Sequence, residues 1–108
     1  MGFIYIIQKR ERIRMNENIY KIGRTEKINS YNRIKCYDKD SILYFILPVK
    51  DSLLIENLVI QEFNNIFEKT ETCSKEEYKG DLDQMIKLII EIYNKYDMNI
   101  IPLSKISL

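Results

Sequence analysis

FIYII (Phe3–Ile7) and YKIGR (Tyr20–Arg24) are the two stretches that decide the fold of this 108-residue chain. Both are rich in aromatic and β-branched residues, which is the composition of buried strands. The intervening residues 9–18, KRERIRMNEN, are polar and strongly basic, and they are too many for a tight turn. The pattern therefore predicts a long hairpin with strands over about Phe3–Gln8 and Ile19–Gly23, joined by an exposed loop or by an extension of the hairpin beyond the sheet.

The middle of the chain predicts a loop, a short helix and a third strand. Residues 25–29 are typical of a loop, and Asn29 or Ser30 is suited to cap a short helix through Tyr37. Ser41–Val49, SILYFILPV, is apolar without interruption, which favours a strand that is covered on both faces.

Two longer helices are predicted to follow. Asp51 or Ser52 caps the first, which reaches about Lys69, and Gly80-Asp81 opens the last, which covers about 81–96 and is clearly amphipathic. The order strand, strand, helix, strand, helix, helix predicts one α+β domain over residues 1–108. In it, helices flank a small three-stranded antiparallel sheet.

Charge is distributed unevenly along the chain, although its sum is only +1. Residues 1–39 carry ten Lys and Arg against four Asp and Glu, whereas residues 40–108 carry seven against twelve. A basic amino-terminal part is suited to face phosphates, but lysine on an ordinary solvated surface gives the same composition, and both explanations stay open. The chain has 20 Ile, 12 Lys and 9 Asn and no Ala, Trp or His. That skew is typical of an A/T-rich genome, and it excludes histidine as a base, nucleophile or metal ligand.

The composition predicts an intracellular protein without a membrane partner. Cys36 and Cys73 form neither a CxxC pair nor a disulfide framework, which suits a reducing compartment. No apolar stretch approaches the roughly 20 residues that span a bilayer. The amino end lacks the features of a signal peptide. We expect the protein in the cytoplasm, or inside a host cell if it is viral.

Four pieces of the sequence, in their order and spacing, resemble the GIY-YIG nuclease family, most closely its compact branch from phages and large DNA viruses. The family's first motif falls on Phe3-Ile4-Tyr5 and its second on Lys21-Ile22-Gly23. Its arginine falls on Arg33, inside YNRIKCY, and its metal-binding glutamate on Glu56, inside SLLIENLVIQEF. The resemblance covers about residues 2–80. It implies the α+β fold of that family and an endonuclease that hydrolyses DNA phosphodiester bonds with Mg²⁺ or Mn²⁺.

Glu56 is also singled out by helical periodicity alone. At 100° per residue it falls near the middle of an apolar arc formed by Ile55, Val59, Ile60, Phe63, Ile66 and Phe67. A carboxylate that faces a core is costly unless it is paired or holds a metal. Mg²⁺ prefers oxygen ligands and is often held by one or two carboxylates plus substrate phosphate. The alternatives are a structural salt bridge from Glu56 to a nearby arginine, or a helix whose arc is rotated.

The resemblance implies roles for the other candidate residues. The Arg33 guanidinium stabilises charge on the phosphate oxygens with two donors, and Tyr5 orients or deprotonates the attacking water. Lys21 stands where the family has its second tyrosine; it lowers the pKa of Tyr5, contacts phosphate, acts as a base, or marks a weakened activity. Arg24 and Gly23 are the expected contacts to the substrate phosphate.

KEEYKGD (Lys75–Asp81) resembles the closing motif of the same branch, which makes Glu77 and Tyr78 secondary candidates. Closing the cleft structurally is the simpler interpretation of both. Two functions from different classes follow: a Mg²⁺-dependent DNA endonuclease, or a module of the same fold that binds nucleic acid or protein with weak turnover or none. A small protein-interaction domain that never associates with DNA is a third alternative.

Overall fold

The structure is a computed structural model that describes residues 2–26, 40–70 and 76–97. The short helix expected through Tyr37, which includes Arg33, and both cysteines lie outside these residues.

A five-stranded antiparallel sheet forms the centre of the fold, with the spatial order β3-β1-β2-β5-β4. Its strands are β1 (Gly2–Gln8), β2 (Ile19–Thr25), β3 (Ile42–Val49), β4 (Glu68–Lys69) and β5 (Glu77–Lys79). The α+β class is confirmed, but the expected count of three strands is wrong. The two additional strands are two and three residues long, which is too short for an alternation of polar and apolar residues to be recognised.

The hairpin between β1 and β2 is confirmed, and its register decides which side chains meet. Tyr5 is the Cα partner of Gly23, and Ile6 is that of Ile22. Because side chains alternate along a strand, Ile4 and Ile6 enter the main core while Tyr5 points to the other face.

The connection between these strands contains a helix, so the expectation of an exposed loop or extended hairpin is wrong. Helix α1 (Arg10–Arg14) begins after Lys9, whose carbonyl accepts from the N–H groups of Arg12 and Ile13. The chain turns back at Asn16, which has a φ of 54°. Asparagine tolerates this left-handed conformation better than most residues.

Two helices cover one face of the sheet. Asp51 caps α2 (Ser52–Ile66) by accepting from the Leu54 N–H, and Asp81 caps α3 (Leu82–Ile92) by accepting from the Gln84 N–H, as the sequence predicts. Helix α2 ends before the expected Lys69, because the chain becomes extended at Phe67 and enters β4. None of the helices in the described ranges has the length and apolarity that a membrane crossing requires.

The core lies between that face and the two helices. Its fully buried side chains come from β1, β2, α2, β5 and α3, and include Ile4, Ile6, Ile22, Ile55, Val59, Phe63, Tyr78, Met85 and Ile89.

The expectation that both faces of strand β3 are covered is wrong, because one face of this edge strand is exposed. Ile42, Tyr44 and Ile46 are 42, 41 and 38% exposed, whereas Phe45 and Leu47 pack against the core. Among the described elements, the helices cover only one face of β3, which leaves part of its apolar surface in solvent.

A short π-helical turn (Tyr93–Asp97) follows α3 and supports the start of α2. The buried Asp97 carboxylate accepts from the backbone N–H groups of Lys50 at 2.9 Å and Asp51 at 3.4 Å. This contact fixes the loop between β3 and α2, and thereby the position of Glu56 one turn later.

Candidate functional site

The ring of Tyr5 lies directly over Gly23. A Cβ atom at Gly23 would lie 2.3 Å from Tyr5 Cζ and 2.4 Å from Tyr5 Oη, far inside van der Waals contact. Only glycine leaves room for the ring at this point of the sheet. The two motif residues are therefore in direct contact, and the half-buried phenol is held on the face that points away from α2 and α3.

Lys21 lies on the same face as Tyr5, two residues before Gly23 on β2. It is half-buried, and its Cα partners are Ile7 on β1 and Glu77 on β5. The structure thus brings Lys21 to the face that carries the phenol. It also places an acidic residue of the neighbouring strand next to this lysine.

Glu77 is 2% exposed and is held by Arg12 of α1. Arg12 Nε lies 3.3 Å from Glu77 Oε2, and Arg12 Nη2 lies 3.4 Å from Glu77 Oε1. A third contact joins Arg12 Nη1 to Glu17 Oε1 at 3.3 Å. These hydrogen bonds raise the pKa of Arg12 above its ordinary value, with Glu77 the main cause. Glu77 therefore ties α1 to the sheet, in agreement with the structural interpretation of the closing motif.

Tyr78, the other secondary candidate, is a core residue. Its hydroxyl donates to Asn64 Oδ1 at 2.8 Å, and its ring meets Phe63 edge-on. Burial raises its pKa above the ordinary value. A buried phenol whose proton is used in a side-chain hydrogen bond has a packing role.

Arg24 and Glu56 meet on the helical face of the sheet. Arg24 follows Gly23 on β2, so its side chain points to the opposite face from Tyr5. Its Nε lies 3.5 Å from Glu56 Oε1, and its Nη1 lies 3.4 Å from the Oγ of the buried Ser52. The salt bridge from Glu56 to a nearby arginine, one of the alternatives from the sequence, is therefore present.

Glu56 lies at the margin of the buried surface of α2, so the expectation that it sits in the middle of the apolar arc is wrong. The buried residues of this helix are Ser52, Ile55, Val59 and Phe63. Ile66, expected on the arc, is exposed. The arc is rotated relative to the prediction, and the Glu56 side chain remains 13% exposed.

The surroundings of Glu56 disfavour its charge. Burial, and secondly the nearby Glu76 carboxylate, raise its pKa above the ordinary value, while Arg24 opposes them. A carboxylate in a strong structural salt bridge has the reverse shift, since an opposite charge favours its ionised form. At 3.5 Å, the contact to Arg24 does not compensate for the loss of water and the repulsion from Glu76.

The donor set around Glu56 fits a magnesium ion that keeps most of its water. Glu56 provides one carboxylate, which the charge of Glu76 repels, and Mg²⁺ is often held by one or two carboxylates and a substrate phosphate. Across residues 2–26, 40–70 and 76–97, no group of three or more Cys, Asp or Glu side chains forms a complete cage. Any cation held here therefore takes its remaining ligands from water or substrate.

The structure divides the predicted site residues into two sets. Tyr5, Gly23 and Lys21 share the face away from the long helices, whereas Arg24 and Glu56 share the helical face. The sets meet on β2, where Gly23 and Arg24 are consecutive. Arg33, the expected transition-state arginine, lies outside the described residues.

Nothing in the sequence pairs Arg12 with Glu77. The two residues are 65 positions apart, and Arg12 stands in a run of similar basic residues. The sequence predicts Ser52 only as a possible helix cap, but its buried hydroxyl lies between Arg24 and Glu26. Only the folded arrangement identifies these partners.

A family model for the T5orf172 domain matches residues 2–93, which include both hairpin motifs, Glu56 and α3. This domain is associated with phages and is often found in nuclease-like proteins, which indicates a role connected with nucleic acids. Comparison with curated proteins and with solved structures finds no match. The chain belongs to the T5orf172 domain family.

Proposed function

We propose that the protein is a Mg²⁺-dependent endonuclease of GIY-YIG type that hydrolyses DNA phosphodiester bonds. The T5orf172 family supports a role with nucleic acids. The close contact between Tyr5 and Gly23 supports the assignment of the two hairpin motifs. The finer proposal, hydrolysis with a metal, depends on Glu56.

The environment of Glu56 carries this proposal. Its carboxylate is mostly removed from water and is repelled by Glu76, and within the described ranges its ion pair is the 3.5 Å contact to Arg24. Such a group gains free energy when a divalent cation binds, because the cation relieves both the repulsion and the loss of water. A residue with only a structural purpose gains nothing from this arrangement.

In the proposed mechanism Glu56 would hold Mg²⁺, and the negative charge of Glu76 would favour binding of the ion. When bound, the ion supplies positive charge to the scissile phosphate and to the leaving oxygen. Arg24 offers donors to a non-bridging oxygen beside Glu56, and Arg33 has the same role from its own segment. Tyr5 and Lys21 lie on the other face of β2, so they would orient and help to deprotonate the attacking water only for a phosphate held at Gly23 and Arg24, where the two sets meet. The products are a 5′ phosphate and a 3′ hydroxyl.

A second function is favoured by one observation. Tyr5 and Glu56 extend from opposite faces of the sheet, so a phosphate beside one of them is not thereby beside the other. A domain that binds DNA without cleaving it has no need for the two to converge. In that case Tyr5 and Lys21 contribute to the binding surface, and the Arg24–Glu56 pair stabilises the fold.

Nicking of supercoiled plasmid in Mg²⁺ or Mn²⁺ separates the two functions. Glu56→Gln keeps the size of the side chain and removes the charge, and Glu62→Gln is the matched control because Glu62 is exposed on the same helix. We expect wild type and Glu62→Gln to nick, and Glu56→Gln to bind DNA without nicking. Equal nicking by all three would refute the role of Glu56. Absence of nicking by the wild type in either metal, with DNA binding intact, would support the binding module.

A further inference from the structure

Helix α1 (Arg10–Arg14) is fixed to the sheet by contacts that leave its basic side chains outside. Arg12 binds Glu77 through two hydrogen bonds of 3.3 and 3.4 Å, and Glu77 is 2% exposed. Gln8 Nε2 donates to the Glu17 carbonyl at 2.8 Å, and the Gly80 N–H donates to the Asn18 carbonyl at 3.0 Å. The connection between β1 and β2 is therefore held at both of its ends.

The partly buried Arg12–Glu77 pair is a costly way to hold five residues in place. Removing the Glu77 charge from water costs several kcal/mol before its attraction to Arg12 is counted, and apolar residues often stabilise a fold as well. The pair does have a geometric consequence. It places α1 beside Lys21, since Lys21 and Glu77 are Cα partners on neighbouring strands.

The exposed cations of α1 are available to an outside partner. Arg14 is exposed and lies within 4.0 Å of no carboxylate among residues 2–26, 40–70 and 76–97. Arg10 has ion pairs of 3.6 Å with Glu11 and 3.7 Å with Asp40, but both carboxylates are largely exposed. Exposed pairs of this kind contribute little free energy, so a phosphate can replace them.

We infer that α1 is a rigid basic arm that grips the phosphate backbone of duplex DNA through Arg10 and Arg14, next to the face that carries Tyr5 and Lys21. This inference deepens the proposed function, because it rests on DNA as the substrate. The arm orients the duplex while its own position is set by Arg12 and Glu77. Phosphate contacts of this type fix the register of a protein on DNA and carry no sequence information.

The test is the salt dependence of binding to a fluorescein-labelled DNA duplex, measured by anisotropy in EDTA so that no cleavage occurs. Arg10→Gln/Arg14→Gln is compared with Lys69→Gln/Lys87→Gln, which removes two exposed cations from β4 and α3. Each lost phosphate contact lowers the slope of log K against log salt by about 0.9. We expect the arm variant to bind about tenfold more weakly with a slope smaller by about 1.8, and the control variant to keep the wild-type slope.

A second variant tests the position of the arm without changing the net charge. Arg12→Met/Glu77→Leu replaces the partly buried pair with apolar groups and leaves Arg10 and Arg14 in place. We expect a folded protein, by its thermal melt, with weakened DNA binding. Wild-type affinity in this variant, or an equal loss of slope in the arm and control variants, would overturn the inference. Tighter binding of a duplex RNA of the same length would overturn the choice of DNA.

The binding measurements and the nicking assay can refute the arm and the proposed catalysis separately. If Glu56→Gln still nicks DNA while the arm variant loses its salt slope, the role of Glu56 is refuted and the arm stands. If Glu56→Gln loses nicking and the arm variant binds like wild type, the arm is refuted and the nuclease stands.

Discussion

Gly23→Ala tests the contact that joins the two hairpin motifs. The new Cβ would lie 2.3 Å from Tyr5 Cζ, 2.4 Å from its Oη and 2.7 Å from its Cε1, whereas ordinary contact begins at 3.4 Å. The ring therefore has to retreat by about 1 Å, although it is anchored to the central strand β1. Overpacking of this kind typically costs about 1–3 kcal/mol.

The cost of Gly23→Ala should depend on which side chain stands at position 5. Tyr5→Phe removes the hydroxyl but leaves Cζ and Cε1, so the substitution should remain costly. Tyr5→Ala removes all three contacting atoms. Because Gly23 has no positive φ, alanine is then acceptable to the backbone and should be neutral or stabilising by about 0.5 kcal/mol.

Urea denaturation of the four proteins in each double-mutant cycle gives the coupling free energy directly. We expect a coupling of about 2 kcal/mol between Gly23→Ala and Tyr5→Ala, and much less between Gly23→Ala and Tyr5→Phe. An equal cost of Gly23→Ala in the wild-type and Tyr5→Ala backgrounds would refute the contact. The assignment of the two motifs would lose its structural support with it.

Three further predictions concern charged groups. Glu56 has a raised pKa in the folded state, so its favourable contribution is complete below about pH 4.5 and is lost as pH rises through the folded value. Thermal melts should therefore show Glu56→Gln gaining stability over wild type as the pH is raised above 4.5, with Glu62→Gln as the control that shows no such gain. Asp97→Ala leaves two backbone N–H groups before α2 without their acceptor and should cost about 1–3 kcal/mol in urea denaturation, whereas Asp97→Asn keeps an acceptor oxygen and should cost less. Arg12→Met leaves the buried Glu77 carboxylate without its main partner and should lower the free energy of unfolding by about 3 kcal/mol. The added change Glu77→Leu should recover most of this loss, and a double variant as unstable as the single one would contradict the ion pair between Arg12 and Glu77.

The parts of the fold that the sequence predicts are those with a long local pattern. The hairpin, the third strand and both helix caps follow from apolar runs and from Asp51 and Asp81, because each signal lies within a few residues. β4 and β5 have no such signal. They exist because the start of α3 brings Glu77–Lys79 beside the edge of β2, and the end of α2 brings Glu68–Lys69 beside β5, which is a tertiary effect.

The candidate site is predictable to a similar degree. The resemblance identifies Tyr5, Gly23 and Glu56, and the first two do meet. Periodicity does not predict that α2 is rotated so that Glu56 lies at the margin of the core. Turning the helix about its axis changes which side chains are buried, but it leaves the pattern of apolar residues in the sequence unchanged. Nor does it predict Arg24 as the ionic partner, because that contact depends on where the end of β2 meets the start of α2.

The direction of the Glu56 pKa shift distinguishes the two explanations of this residue that the sequence leaves open. A glutamate kept only for its salt bridge should be easier to ionise than in water, because Arg24 would dominate its surroundings. Instead burial and Glu76 dominate, and the fold disfavours the ionised form of Glu56. Stability alone would favour glutamine at this position, so retention of the carboxylate requires a gain from elsewhere. A divalent cation provides that gain, and it should raise the melting temperature of the wild type at pH 7 but not that of Glu56→Gln. If Mg²⁺ and Mn²⁺ leave the wild-type melting temperature unchanged up to millimolar concentrations, Glu56 is not a metal ligand in the free protein, and the proposed mechanism loses the group on which it depends.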